Sequence, residues 1–414
     1  MAANYGPYQP YTGFNTKDPN TGNSQDLGQR YITKSYLLDV YPNLASATGN
    51  RTAPGLWTWG TGTDGVNTVN IYPVGGPYYS SPVQIGSLTN WKQVSAWWYN
   101  NAAIKTDGTL WTWGASSYGG LGVGNTLNYS SPIQVGALTT WKQVSAGTAH
   151  MSAVKTDGTL WAWGLNSYGQ LGDSTVVNKS SPVQVGALTT WKQVVAGNFF
   201  TFAIRNDGTL WAWGWNTAGQ LGNGAVSTTV YYSSPIQVGA LTTWKQVAIG
   251  YYHTAAVKVD GTLWTWGYNN LGQLGNGNIT SYSSPIQIGT LTNWKQVACN
   301  DWNTYAIKTD GTLWAWGNSG LGALGDGTTA YKSSPVQIGS LTNWKKVVGG
   351  SQTAVALKTD GTIWGWGNNA WGELGVNASG SSYYSSPIQI GSLTTWKSIA
   401  SGWNYTLAIQ DGFI

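Results

Sequence analysis

Four short motifs recur in this sequence in fixed order at intervals of 50 to 54 residues, with seven copies of each in register. Trp-x-Trp-Gly runs from the copy at Trp57 to that at Trp364, and Ser-Ser-Pro from Pro82 to Pro387. Trp-Lys runs from Trp91 to Trp396, and Asp-Gly from Asp107 to Asp411. A repeat of this length is one supersecondary unit that cannot bury its apolar face alone, so the copies must stack on one another. In the stretch Val154-Lys155-Thr156-Asp157-Gly158-Thr159-Leu160-Trp161-Ala162-Trp163-Gly164, two strands flank Asp157-Gly158. Glycine accepts the positive φ of a primed hairpin turn. Trp161 and Trp163 share one face, because side chains alternate along a strand. Strands are expected near residues 142–146, 152–155 and 159–163, with a fourth near 132–135. Such a four-stranded antiparallel unit at this period is a β-propeller blade.

The ends of the repeat region imply closure. The first Trp-x-Trp-Gly has no Asp-Gly hairpin before it, and Asp411-Gly412 has no Trp-x-Trp-Gly after it. The C-terminal strands are therefore expected to pair with a strand at residues 56–60, which removes two open sheet edges. The expected architecture is all-β: a seven-bladed propeller over residues 55–414, closed by its N- and C-terminal strands. Most of the 27 Trp belong to the repeated motifs, where large flat rings stabilise blade against blade.

Residues 1–54 stand apart. The first 25 are rich in Tyr, Pro, Asn, Gly and Thr and cannot form a core of their own. Tyr31, Tyr36, Leu37, Leu38 and Tyr41 fall in a short amphipathic segment and are the expected anchoring residues. This tail is expected to pack on its own propeller or on a neighbouring subunit. The beginning of the chain shows neither a basic region followed by an apolar run nor a membrane-spanning stretch, so synthesis in a cytoplasm without secretory export is expected.

Charge does not point to nucleic acid. The net charge is +5, but Lys105, Lys155, Lys258, Lys308 and Lys358, with Arg205, occupy one repeat slot. Evenly spread basic residues are read as a solvated strand position. Cys299 is the single cysteine and stands where another copy has Ala146, so a small buried residue is expected there.

The repeat resembles the regulator of chromosome condensation repeat family. Gly250-Tyr251-Tyr252-His253-Thr254, then Asp260-Gly261 and Trp266-Gly267, follow that family's pattern, as does Asn166-Ser167-Tyr168-Gly169-Gln170-Leu171-Gly172. The resemblance spans residues 55–414 and implies the seven-bladed fold. It does not imply one function, because the family includes a nucleotide exchange factor, an ultraviolet-B receptor and an inhibitor of β-lactamase. The leader from Asp26 to Pro42 is similar to leaders of repeat proteins in tailed bacteriophages. That second resemblance implies a virion protein anchored through residues 1–54.

No pattern for catalysis stands out. His150 and His253 fall at the family's turn position and are expected to hold backbone or a neighbouring blade. The turn aspartates cap their own hairpins. The sequence shows no paired carboxylates, metal-spaced cluster or nucleophile elbow, and no cofactor or metal is implied.

A binding face is better supported. In an antiparallel meander, successive connections alternate between the two strand ends. The turn near residues 147–150 and the loop after Trp163-Gly164 therefore share one face, and on that face the copies differ. Trp97, Trp98, Tyr99, Phe199, Tyr251, Tyr252, Trp302 and Trp403 fall in this turn and are the candidate partner-binding residues. Such rings suit stacking on sugars or anchoring a protein; the bland alternative is packing between blades or plugging the channel.

The leading expectation is a non-enzymatic virion component of a tailed phage, in the tail, a fibre or a head decoration. It would contact other virion proteins and a host glycan or receptor, in multiple copies, without nucleic acid or membrane insertion. The alternative is a cellular protein-binding or regulatory propeller, of exchange-factor or inhibitor type. An enzyme is a third reading. Light sensing is the last: Gly402-Trp403-Asn404-Tyr405-Thr406 resembles the photoreceptor's turn, but the chain has only Arg30, Arg51 and Arg205 to set against an Arg-rich dimer interface.

Overall fold

A computed structural model describes residues 55–61, 78–226, 231–376 and 383–411. The tail with its expected anchoring residues, and most of the length variation in the loops after Trp-x-Trp-Gly, lie outside these residues. The strands form seven four-stranded antiparallel sheets arranged as the blades of a propeller. In one blade the order from the axis outward is Trp141–Ala146, His150–Lys155, Leu160–Gly164 and Lys179–Gln184. The strand expected near 132–135 is Tyr129–Gln134, and it is the outermost strand of the preceding blade. The last blade is composite: Trp396–Ser401 and Tyr405–Gln410 pair with Gly55–Thr61 and then Tyr78–Gln84. Leu56 stands opposite Ile409 and Trp59 opposite Thr406, so the expected closure is present.

The Asp-Gly hairpin is not a two-residue primed turn. Gly158 N–H donates to the Lys155 carbonyl, Lys155 N–H donates to Thr159, and among these turn residues only Gly158 has positive φ, at 80°. This is the three-residue loop that ends in a left-handed glycine. The third residue matters because it lets Asp157 reach forward. Its Oδ1 accepts from the Thr159 N–H and hydroxyl, at 2.9 and 2.7 Å, and the Thr159 oxygen accepts from Trp161 Nε1 at 2.9 Å. These bonds hold the Asp157 carboxyl below its usual range. The same relay ties Trp111, Trp211, Trp264, Trp314 and Trp364.

The basic slot next to this turn is buried, contrary to the solvated position expected. Lys155 is 7% exposed, and its ammonium lies 3.5 Å from the Trp161 ring centre and 4.9 Å from that of Trp141. Partial desolvation lowers its pKa. The alkyl stem and the two indoles pack together, and the ring faces replace part of the lost hydration. Lys258, Lys308 and Lys358 repeat the arrangement. The second Trp of each tetrad packs against the preceding blade. Trp163 is buried against Ala102, Ile104 and Leu110 and meets Trp141 edge-on at 6.1 Å.

Blades are also joined around the axis. A bulge after Trp141 leaves Lys142 exposed and out of register, and the next residue reaches the following blade. Gln143 Nε2 donates to the Val194 carbonyl at 2.7 Å, and its Oε1 accepts from Val194 N–H at 2.8 Å. Gln93, Gln246 and Gln296 make the same two-way bond to Val144, Val297 and Val347. The sixth position carries Lys346, which can donate, to the Ile399 carbonyl at 2.8 Å, but cannot accept. Burial in the channel pushes its ammonium down to about 8. Lys346→Gln is therefore expected to stabilise the propeller by about 1–3 kcal/mol, by restoring the acceptor and removing a desolvated charge. Denaturant unfolding of the two proteins under identical conditions checks this; an unchanged or lowered midpoint would count against the seam.

Candidate functional site

The turns between the first and second strands of the blades converge on one end of the channel. Their second residues form a ring about the axis: Trp98, Thr148, Asn198, Tyr251, Asp301, Ser351 and Trp403. Backbone bonds join several neighbours. Thr148 N–H donates to Gly197, Tyr251 N–H to Asp301, Ser351 N–H to Trp403 and Trp403 N–H to Trp98. The channel below, about 260 Å³, is lined by the innermost strands of all seven blades, with the seam glutamines and Lys346.

The ring has an aromatic bridge across the axis between two polar arcs. Trp98 stacks on Trp403 with centroids 5.0 Å apart and planes 11° from parallel. Trp98 also meets Tyr251, from the fourth blade, at 6.4 Å. Tyr251 in turn stacks on Trp302 at 5.9 Å. On one polar arc Ser351 donates to Asp301 Oδ2 at 2.7 Å, and on the other the Thr148 hydroxyl donates to Asn198 Oδ1 at 2.9 Å. Trp98 holds φ at +41°, which a bulky residue seldom adopts and which strains the backbone at the centre of the cluster.

Seven of the eight candidate aromatics join one network. Tyr99 packs on Trp403, and Tyr252 touches Tyr251 and Trp302. The string continues outward through Trp215, which meets Tyr252 at 5.4 Å and Phe199 at 5.8 Å. Trp97 is separate: its indole donates to the Thr148 hydroxyl and it packs with the interblade core. All eight are half-buried. The seven networked rings are neither free-standing nor core, but form a packed, half-buried belt.

Sequence reasoning missed Trp215, Tyr168 and Tyr268, which extend the belt from the loops after Trp-x-Trp-Gly. It also missed the polar arcs of the ring. Aligning the turns column by column exposes the polar members, since each ring member occupies one repeat column.

The histidines act between blades. His150 Nε2 lies 2.9 Å from Thr201 Oγ1, whose hydroxyl donates to the Gln170 carbonyl. The hydroxyl has spent its proton, so the imidazole donates through Nε2 and is neutral. His253 does the same with Thr304 and Gln273. Complete burial pushes both imidazoles down to about 3. Cys299 is buried, with its thiol pushed up to about 12, which makes it a poor nucleophile. Glu373 replaces the loop glutamine of Gln170; burial pushes its carboxyl up to about 7 while Oε2 accepts from Trp371 N–H. Among the described residues, no three His, Cys, Asp or Glu side chains could share a metal ion, and no helix is long and apolar enough to cross a membrane.

These features define a closed seven-bladed propeller with a uniform face of turns and connectors and an individual face carrying an aromatic belt. The chain belongs to the RCC1-like domain family, whose model matches residues 52–350; regulator of chromosome condensation repeat models match residues 344–372 and 360–409. Solved structures with the same fold include human WBSCR16, at 21% identity over 87% of this chain and 100% of that one, with a TM-score of 0.75. Prp20p from Saccharomyces cerevisiae shares 19% identity over 88% and 93% of the two chains, with a TM-score of 0.76. Yeast RCC1 (Prp20) bound to Kap60 shares 18% over 87% and 90%, with a TM-score of 0.75. No match was found among curated protein sequences.

Proposed function

We propose that this chain is a non-enzymatic, protein-binding propeller whose working surface is the belt face. The observation that carries the reading is the belt itself: half-buried Trp and Tyr rings from several blades, gathered where the repeats differ. The opposite face repeats the same turn and connector in each blade and offers nothing distinctive. Preassembled aromatics lose little side-chain entropy when a partner covers them, which suits them to be hot spots. Two fold neighbours are themselves protein binders: Prp20p binds Gsp1p and histones, and yeast RCC1 binds Kap60. The virion expectation rests on the leader resemblance at residues 26–42, outside the described residues, and the propeller adds no support to it.

Placing a photo-crosslinking residue at Trp302, on the belt, and at Leu188, on the opposite face, tests this reading. Leu188 is 44% exposed, so failure there is not a matter of access. A discrete protein adduct from position 302 and none from 188 is expected in cells that make the protein. Trp302→Ala with Tyr252→Ala should weaken that partner by about 30-fold or more, the scale of one strong hot spot. Adducts confined to position 188 would overturn the assignment of the face.

A further inference from the structure

Trp97, Trp98 and Trp403 line a small cavity at the mouth of the channel together with Asp301 and Ser351; Asn300, Ser401 and the glycines at 349, 350 and 402 complete it. It has about 10 Å³ of room, the space of one water-sized group. Asp301 is the only charged side chain in its wall. Ser351 occupies one carboxylate oxygen, at 2.7 Å, and no basic side chain among the described residues forms an ion pair with Asp301. A carboxylate beside indoles, with one oxygen already oriented and no countercharge, is electrostatically incomplete. The other six ring positions carry no charge, so Asp301 is specific to this point of the axis.

We propose that this cavity receives a primary alkylammonium group, presented as a lysine side chain by the protein that docks on the belt face. The size of the cavity selects the group. An –NH3+ head is water-sized, whereas a quaternary ammonium or a guanidinium is too large. Its donors can meet the carboxylate oxygen of Asp301 that Ser351 does not occupy. The methylene stem then lies along Trp98 and Trp403, and indole surface favours a cation and its apolar stem together. The partner identity rests on the protein-binding reading above; the ammonium site can be tested without any partner.

The probe is n-butylammonium, followed by tryptophan emission and by ligand-observed NMR on the full chain. Saturable binding at millimolar concentration is expected, with tetramethylammonium and potassium failing to compete. Asp301→Asn, which keeps the shape and the Ser351 contact, should weaken binding at least 10-fold while the melting temperature stays within a few degrees. Ser351→Ala should weaken it less. No saturable response, an undiminished response in Asp301→Asn, or full competition by potassium or tetramethylammonium would each overturn the proposal. A crosslinked partner that binds normally to Asp301→Asn would overturn the lysine assignment while leaving the belt-face reading intact.

Discussion

Between pH 6 and 4.5 the folded propeller is expected to hold nearly constant stability, because two pairs of buried groups act in opposite directions. His150 and His253 stay neutral down to about 3, while an unfolded chain protonates its histidines near 6.5. Their contribution is complete above 6.5 and is lost as pH falls towards 3, at about 1.4 kcal/mol per pH unit for each ring. Glu373 and Asp301 have the reverse sign. Burial raises their carboxyls to about 7 and about 6, from ordinary values of 4.5 and 3.8. The folded state takes up these protons first, so each carboxyl gains stability as pH falls through that window. Across it the two pairs cancel to first order. The turn aspartates, such as Asp157, are held low, so their contribution is lost mainly below 3.8. Replacing Glu373 by Gln and Asp301 by Asn removes the compensating pair. The double variant is then expected to lose about 4 kcal/mol between pH 6 and 4.5. His150→Asn with His253→Asn should do the opposite and gain stability on acidification, since Asn100 and Asn303 already fill that repeat position. Denaturant unfolding at both pH values reads all three proteins. A steep acid loss in the parent, unchanged by the carboxyl variant, would show that these carboxyls do not carry protons in the folded state.

The blade count, the closure and the two faces are all legible in the sequence, because each follows from repetition and strand alternation. Contacts that depend on one residue's local geometry are not. Asp157-Gly158 signals a hairpin, yet the extra residue in the loop is what aligns Asp157, Thr159 and Trp161. Lys155 reads as a surface residue because charge usually means water; here two indoles a strand apart cover it. The candidate aromatics are legible as a group, since they fall in one turn. Their mutual packing is not, because Trp98 and Tyr251 lie 153 residues apart and meet only where the ring brings the first and fourth blades to one axis. Asp301 escaped notice for a related reason: a lone carboxylate in a turn gains meaning only from what the other turns place around it.

Trp59→Ala is expected to cost about 3–5 kcal/mol, and to do so in a way that no mid-ring Trp does. Trp59 is fully buried against Val355 and Leu357 of the sixth blade and meets Trp396 at 6.0 Å. Trp213 has the same place in the third blade, against Val154 and Leu160, so truncation there leaves a comparable cavity. The difference lies in connectivity. The strand that carries Trp213 is tied to its neighbour by a short hairpin, whereas Gly55–Thr61 meets Tyr405–Gln410 only through pairing. With its indole removed, the closing strand is held by its ladder and by little buried area beyond Leu56 and Trp57. Local opening there should fall in cost by most of the cavity penalty, whereas in Trp213→Ala the penalty is spread over global unfolding. Amide exchange at residues 55–60 and 405–410 is therefore expected to accelerate about 100-fold or more in Trp59→Ala and to change little in Trp213→Ala. Both variants should show similar losses in global stability. Equal acceleration at this seam in the two proteins would mean that the ring opens elsewhere first, and that strand pairing alone suffices to keep the two ends of the repeat region together.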